Sequence, residues 1–251
     1  MPRNLKLTLA YDGYDFAGWQ VQPDRATIQG TLLSAIERVT GESAMPQGSG
    51  RTDAGVHALA QVASVNISSP IPTANLRVAL NDTLPPAIRV LGVEEAAEGF
   101  HARKSARAKT YRYRIYRGEI CQPFLARYVY HHPYPLDEAA MMSSAAIVIG
   151  EHDFTSFAAV DPEARKEELL PNNVRTIYSS EWRREGQEMI YSVRGNGFLH
   201  HMVRNLVGVF LMVGKGNLNA DGLRRILEAR DRSAAAATAP ASGLFLVGVE
   251  Y

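Results

Sequence analysis

A chain of 251 residues holds one large domain or two small ones, and it can bury a core without disulfides or metals. Apolar residues at 46% and charged residues at 21% are those of an ordinary soluble globular protein, and a single cysteine, Cys121, excludes an internal disulfide and a thiolate zinc site. The net charge of +1 gives no global sign of nucleic-acid binding, so such a signal has to be local.

Leu5, Leu7 and Leu9 alternate with Lys6, Thr8 and Ala10, which predicts a half-buried strand ended by the turn residues Tyr11-Asp12-Gly13. Thr27 is placed to cap a helix with Ile28, Leu32, Leu33, Ile36 and Val39 on one face and Gly41 as its C-terminal stop. A glycine-bearing loop follows over Gly48 to Gly55. Then come a strand over Val62 to Ile67, a short helix over Thr73 to Leu80 stopped by Pro85-Pro86, and a strand over Ile88 to Glu94.

The second half repeats the mixture. A strand is expected over Lys109 to Arg117 and a helix over Asp137 to Ile149, ending at Gly150. A hairpin of Arg175 to Arg184 with Met189 to Arg194 turns at Glu185-Gly186-Gln187-Glu188. Met202, Leu206, Val209, Phe210 and Val213 mark a helix, Asp221 to Ala229 a shorter one, and Leu244 to Tyr251 a closing strand. The expectation is an α+β fold with a mostly antiparallel sheet, divided softly into residues 1–105 and 106–251.

Between Arg103 and Arg117 lie Arg103, Lys104, Arg107, Lys109, Arg112, Arg114 and Arg117 without an acid, interleaved with Tyr111, Tyr113 and Tyr116. Such a stretch can serve phosphates and stacked bases, or be a solvated strand face whose tyrosines pack inward. Gly48 to Ala58 holds a cation, a hydroxyl, a carboxylate and an imidazole: Arg51, Thr52, Asp53 and His57. It reads either as a functional loop or as a tight turn in which Asp53 bonds its own backbone. Arg204 falls in an apolar helix, where burial demands a partner. Scattered histidines without HExxH spacing speak against metal catalysis. No Gly-x-Ser-x-Gly elbow is present, and Cys121 is expected to be a buried, inert thiol.

Several of these segments together resemble the TruA family of tRNA pseudouridine synthases. The resemblance runs through Tyr11-Asp12-Gly13, Phe16, Gly18-Trp19-Gln20 and Thr27-Ile28-Gln29 to Gly50-Arg51-Thr52-Asp53-Ala54-Gly55-Val56-His57-Ala58. It continues through Phe100-His101-Ala102-Arg103, Tyr111-Arg112-Tyr113, Gly150-Glu151-His152-Asp153-Phe154, Gly197 to Asn205 and Ala239 to Tyr251.

That resemblance implies two ferredoxin-like halves forming one large, mostly antiparallel sheet flanked by helices. It implies a cytoplasmic homodimer that isomerises uridine to pseudouridine at positions 38, 39 and 40 of the tRNA anticodon stem-loop. It also implies site roles. Asp53 is the catalytic carboxylate, and Arg204 pairs with it and favours its ionised form. Tyr111 stacks on the flipped uracil and assists proton removal. Arg51 holds the extruded nucleotide, and Leu244 walls the base pocket. His57 contacts RNA or supports the loop, support being favoured. No cofactor, metal or membrane is expected to take part. An N-terminus that lacks the apolar core of a signal peptide agrees with the cytoplasm. A non-catalytic RNA-binding protein and a metal-dependent phosphohydrolase are the rival classes. The intact Asp53 loop argues against the first and poor ligand spacing against the second.

Overall fold

The computed structural model describes residues 2–159 and 172–251. In chain order the elements are β1 (Arg3–Tyr11), α1 (Ile28–Thr40), β2 (Gln47–Gly48), β3 (His57–Ile67), α2 (Thr73–Thr83), β4 (Ile88–Glu95), β5 (Ala108–Tyr116) and α3 (Pro123–Ala126). They continue with β6 (Tyr130–His131), α4 (Glu138–Ser144), β7 (Gly150–Asp153), β8 (Val174–Glu185), β9 (Glu188–Gly195), α5 (Met202–Gly214), α6 (Ala220–Ala229) and β10 (Leu244–Glu250). The chain divides into two compact units, one of Met1–Lys109 with Phe245–Tyr251, the other of Thr110–Leu244. The closing strand thus returns to the first unit, a feature that a division into two consecutive stretches does not contain.

In the first unit the strands lie in the order β4-β1-β3-β10, with β2 on β3. β1 runs antiparallel to both β3 and β4, so its inward leucines Leu5, Leu7 and Leu9 are buried at the centre. α1 begins where Thr27 Oγ1 accepts the Gly30 amide at 3.2 Å and ends at Gly41 in the left-handed region. Its buried face of Ile28, Leu32, Ala35 and Ile36 has the spacing of one helical stripe. α1 packs on α2, and α2 on β4. β3 starts at His57, five residues before the strand expected over Val62 to Ile67. Ala58, Val62, Ala63 and Val65 are all buried, so a period of two is not visible there.

In the second unit the order is β5-β9-β8-β7, with β6 parallel to β5 and β8–β9 the antiparallel hairpin. α5 is buried on nearly all sides, and its Phe210 ring lies 5.2 Å from Tyr191 and 6.0 Å from Trp182. Each such side chain contributes about 1.5–3 kcal/mol when fully removed from water. The helix expected over Asp137 to Ile149 stops earlier. α4 ends at Ser144, and a 3₁₀ turn carries Ala145–Val148. Two causes are visible. Ser143 and Ser144 donate back to the carbonyls of Ala140 and Met141, and Ser180 Oγ donates to the Ala145 carbonyl at 2.7 Å, taking it out of the helical ladder. Cys121 is half-exposed rather than buried, because it lies in the loop before α3. Among the described residues no helix is long and apolar enough to cross a membrane.

Candidate active site

The loop between β2 and β3 is held residue by residue. The Ser49 amide donates to the Val62 carbonyl at 2.7 Å, and Ser49 Oγ donates to Gln61 Oε1 at 2.6 Å. The Ser49 carbonyl accepts from Lys109 Nζ at 2.6 Å, and the Gly50 carbonyl accepts from Gln61 Nε2 at 2.9 Å. Thr52 Oγ1 shares a 2.8 Å hydrogen bond with the Tyr11 hydroxyl, and the Thr52 carbonyl accepts the Trp19 amide at 2.9 Å. After Asp53 the chain turns back, the Val56 amide donating to the Asp53 carbonyl and the Gly55 amide to the Phe16 carbonyl. Asp53 itself is half-buried and Arg51 is exposed.

This geometry explains the neighbouring motifs. Gly18 has φ +95°, and a Cβ there would lie 2.6 Å from the Thr52 carbonyl oxygen. At Gly13 a Cβ would lie 1.9 Å from the Val56 oxygen. Tyr11-Asp12-Gly13 and Gly18-Trp19 are therefore the surface on which the Asp53 loop lies. His57 belongs to the same support. It is 1% exposed, its ring stacks on Phe245 at 4.7 Å, and its Nδ1 accepts the Gly13 amide at 3.1 Å, with Asp12 Oδ1 also at 3.1 Å. Burial pushes the Tyr11 hydroxyl up to about 12, against the hydrogen bonds from Thr52 and Gln61. Tyr11 is thus a neutral phenol at physiological pH.

The other residues singled out from the sequence belong to the second unit. Tyr111 is 7% exposed on β5, with Phe198 edge-on at 5.0 Å. Arg204, on the first turn of α5, donates from Nε to the Ala239 carbonyl at 2.8 Å, while the Ala239 amide donates to the Arg204 carbonyl at 3.2 Å. That reciprocal pair fixes the segment leading to Leu244. The Tyr113 hydroxyl adds a 2.8 Å bond to the Pro240 carbonyl, and Ser242 Oγ donates to Val129 at 3.1 Å. Burial raises the Tyr113 pKa, the Arg204 guanidinium opposing it. Leu244 is buried as the first residue of β10. His201 caps α5 from the left-handed region, at φ 59°.

The basic stretch divides by role. Lys109 holds the Ser49 carbonyl, Arg114 forms a bidentate pair with Glu188 at 2.7 Å, and Arg117 serves Glu138 and the His132 and Tyr134 carbonyls. Arg103, Lys104 and Arg107 are exposed, while Tyr111 and Tyr113 pack inward. Sequence reasoning missed Gln61 altogether, and it named Tyr11, Lys109 and Asn205 without their parts in holding these loops. The available signal was a polar interruption of an apolar run, as with Gln61 between Ala60 and Val62 and the pair Arg204-Asn205 between Val203 and Leu206.

A family model described as tRNA pseudouridine synthase matches residues 8–103 and 145–251 of the chain. The Asp53 loop lies in the first matched stretch, Arg204 and Leu244 in the second, and Tyr111 between them. The chain is 55% identical over 249 residues to tRNA pseudouridine synthase A of Solibacter usitatus, covering 99% of this chain and 100% of the relative. It is 45% identical over 249 residues to tRNA pseudouridine synthase A of Brevibacillus brevis, with the same coverage. Among solved structures, the archaeal box H/ACA sRNP Nop10-Cbf5 complex is similar at TM-score 0.32 and 13% identity, over 82% of this chain and 43% of that one, a likeness too faint to bear on function.

Proposed function

Since the chain belongs to the tRNA pseudouridine synthase family, we propose that it isomerises uridine to pseudouridine in the anticodon stem-loop of tRNAs, at positions 38, 39 and 40, with Asp53 as the reacting carboxylate. In this reaction the bond from uracil N1 to ribose C1′ breaks, the base turns, and C5 joins C1′. C5 loses its hydrogen and N1 gains one, so no external group or redox partner is consumed. A stacked base has to be flipped out first, which costs a few kcal/mol.

What carries the reading is the Asp53 loop. The family match spans it whole, and the backbone on both sides of Asp53 is fixed while the residue is only half-buried. An ionised Asp53 attacks C1′ or removes a sugar proton to start glycal formation. Arg204 is the second catalytic residue of this reading. Tyr111 stacks on the flipped uracil, and its hydroxyl assists proton removal from C5. Arg51 holds the extruded nucleotide. Leu244 supplies the apolar wall, and His57 keeps the loop in place. The working unit is a cytoplasmic homodimer, and tRNA is its macromolecular substrate.

The test is pseudouridine mapping in an unmodified tRNA with uridines at 38 to 40, by carbodiimide labelling and primer extension. Wild type is expected to give new stops at those positions, and Asp53→Asn is expected to give none while still binding tRNA. Stops with Asp53→Asn overturn the role of Asp53. Binding without stops for wild type overturns the reaction.

A further inference from the structure

Gln61 is 0% exposed on β3, in a strand whose neighbours are apolar. A buried primary amide is costly unless its polar atoms are matched. Here they are matched by the loop that carries Asp53. Oε1 accepts from Ser49 Oγ at 2.6 Å and from its neighbour's amide, Val62, at 3.1 Å. Nε2 donates to the Gly50 carbonyl at 2.9 Å and reaches the Tyr11 hydroxyl at 3.4 Å, which in turn holds Thr52 Oγ1 at 2.8 Å. One side chain therefore touches Ser49 and Gly50 directly and Thr52 through a phenol, the residues that lead into Asp53. A strand needs none of this for its own stability, since Leu, Val or Met fill an apolar site of that kind better.

We propose that Gln61, acting with Tyr11, is a positioning residue for the Asp53 carboxylate. It sets the path of the backbone at Ser49, Gly50 and Thr52, and so the direction in which the carboxylate points. It touches no substrate. The inference rests on the reading of Asp53 as the reacting group. It goes beyond that reading in assigning turnover to a buried amide eight residues downstream. Small misplacements of a reacting group cost about 100-fold in rate, whereas the loop's one assigned tRNA contact is Arg51, at a single nucleotide of a large substrate. The loss therefore falls on kcat and not on tRNA affinity.

Gln61→Met keeps the volume and removes the amide. Its single-turnover rate is expected to fall about 10- to 100-fold, with the tRNA Kd within about threefold of wild type, at a temperature where the variant is fully folded. Gln61→Glu gives a readout that a structural role does not move. A carboxylate accepts from Ser49 but cannot donate to Gly50. A protonated carboxyl does both, and burial raises its pKa towards the accessible range. The rate of Gln61→Glu relative to wild type is therefore expected to rise as pH falls from 8 to 6, while that of Gln61→Met stays flat. Wild-type rates in Gln61→Met, or a fall in rate matched by an equal loss of tRNA affinity, overturn the proposal. So does a flat Gln61→Glu ratio. If wild type itself forms no pseudouridine, the functional reading fails first, and that outcome is separate from all of these.

Discussion

In the first unit a fully buried amide, Gln61, reaches a loop held by short, mostly uncharged contacts. In the second, the fully buried amide Asn205 reaches a loop held with the help of arginines. Asn205 Nδ2 donates to the Phe157 carbonyl at 2.6 Å, and its Oδ1 accepts from Thr238 Oγ1 at 2.7 Å and from Arg232 at 3.2 Å. Arg232 also donates to the Ala235 and Ala236 carbonyls, and Arg204 closes the segment at Ala239. The Asp53 loop is tied at nearly every residue, so losing one tie leaves the fold standing and shifts an angle. The loop of residues 232–240 is tied by a few charge-assisted bonds, so losing one releases a length of chain.

The comparison can be broken most forcefully at Arg204. In Arg204→Lys the planar fork is replaced by a point charge, and the Nε donor to Ala239 disappears. Turnover is expected to fall about 100-fold or more under single-turnover conditions, and a near-native rate contradicts the assigned role. Asn205→Ala sharpens the contrast with Gln61→Met. It strands the Phe157 carbonyl and the Thr238 hydroxyl, and is expected to cost about 2–3 kcal/mol in urea unfolding. Gln61→Met is expected to move rate more than stability. If the two variants exchange these signatures, the distinction between the loops is wrong.

The smallest expected effect concerns His132. Burial lowers its pKa to about 4, and Lys215, Arg117 and His131 add to the shift. An unfolded histidine titrates near 6.5. Between those values the unfolded chain binds a proton that the folded chain excludes. The contribution of His132 is then fully present above pH 6.5 and lost as pH falls towards 4. The loss of stability from pH 7 to 4.5 is expected to be about 1–2 kcal/mol smaller in His132→Asn than in wild type. Equal losses in the two proteins contradict it.

What the sequence makes legible is what local chemistry decides. Thr27 and Gly41 mark the ends of α1, because a cap is satisfied within one turn. The hairpin of β8 and β9 is readable from its Glu185-Gly186-Gln187-Glu188 turn. The end of α4 is not, because it depends on Ser180, which lies thirty-five residues away from Ala145. β2 and β6 have two residues each, too short for any periodicity. Of the proposed catalytic residues, Asp53 and Arg204 are each visible through the motif that contains it. Their supports are not, because Tyr11 and Thr52 meet across forty-one residues and Arg204 and Ala239 across thirty-five.

The most direct test follows the hydrogen that isomerisation must expel from C5. tRNA transcribed with 5-tritiated uridine is mixed with excess enzyme, and tritium release is followed for wild type and Asp53→Asn at matched tRNA occupancy. Wild type is expected to release tritium from the anticodon-arm uridines in a single exponential, and bound Asp53→Asn to release none. Release by Asp53→Asn at a rate near wild type, or none by wild type with tRNA bound, contradicts the account.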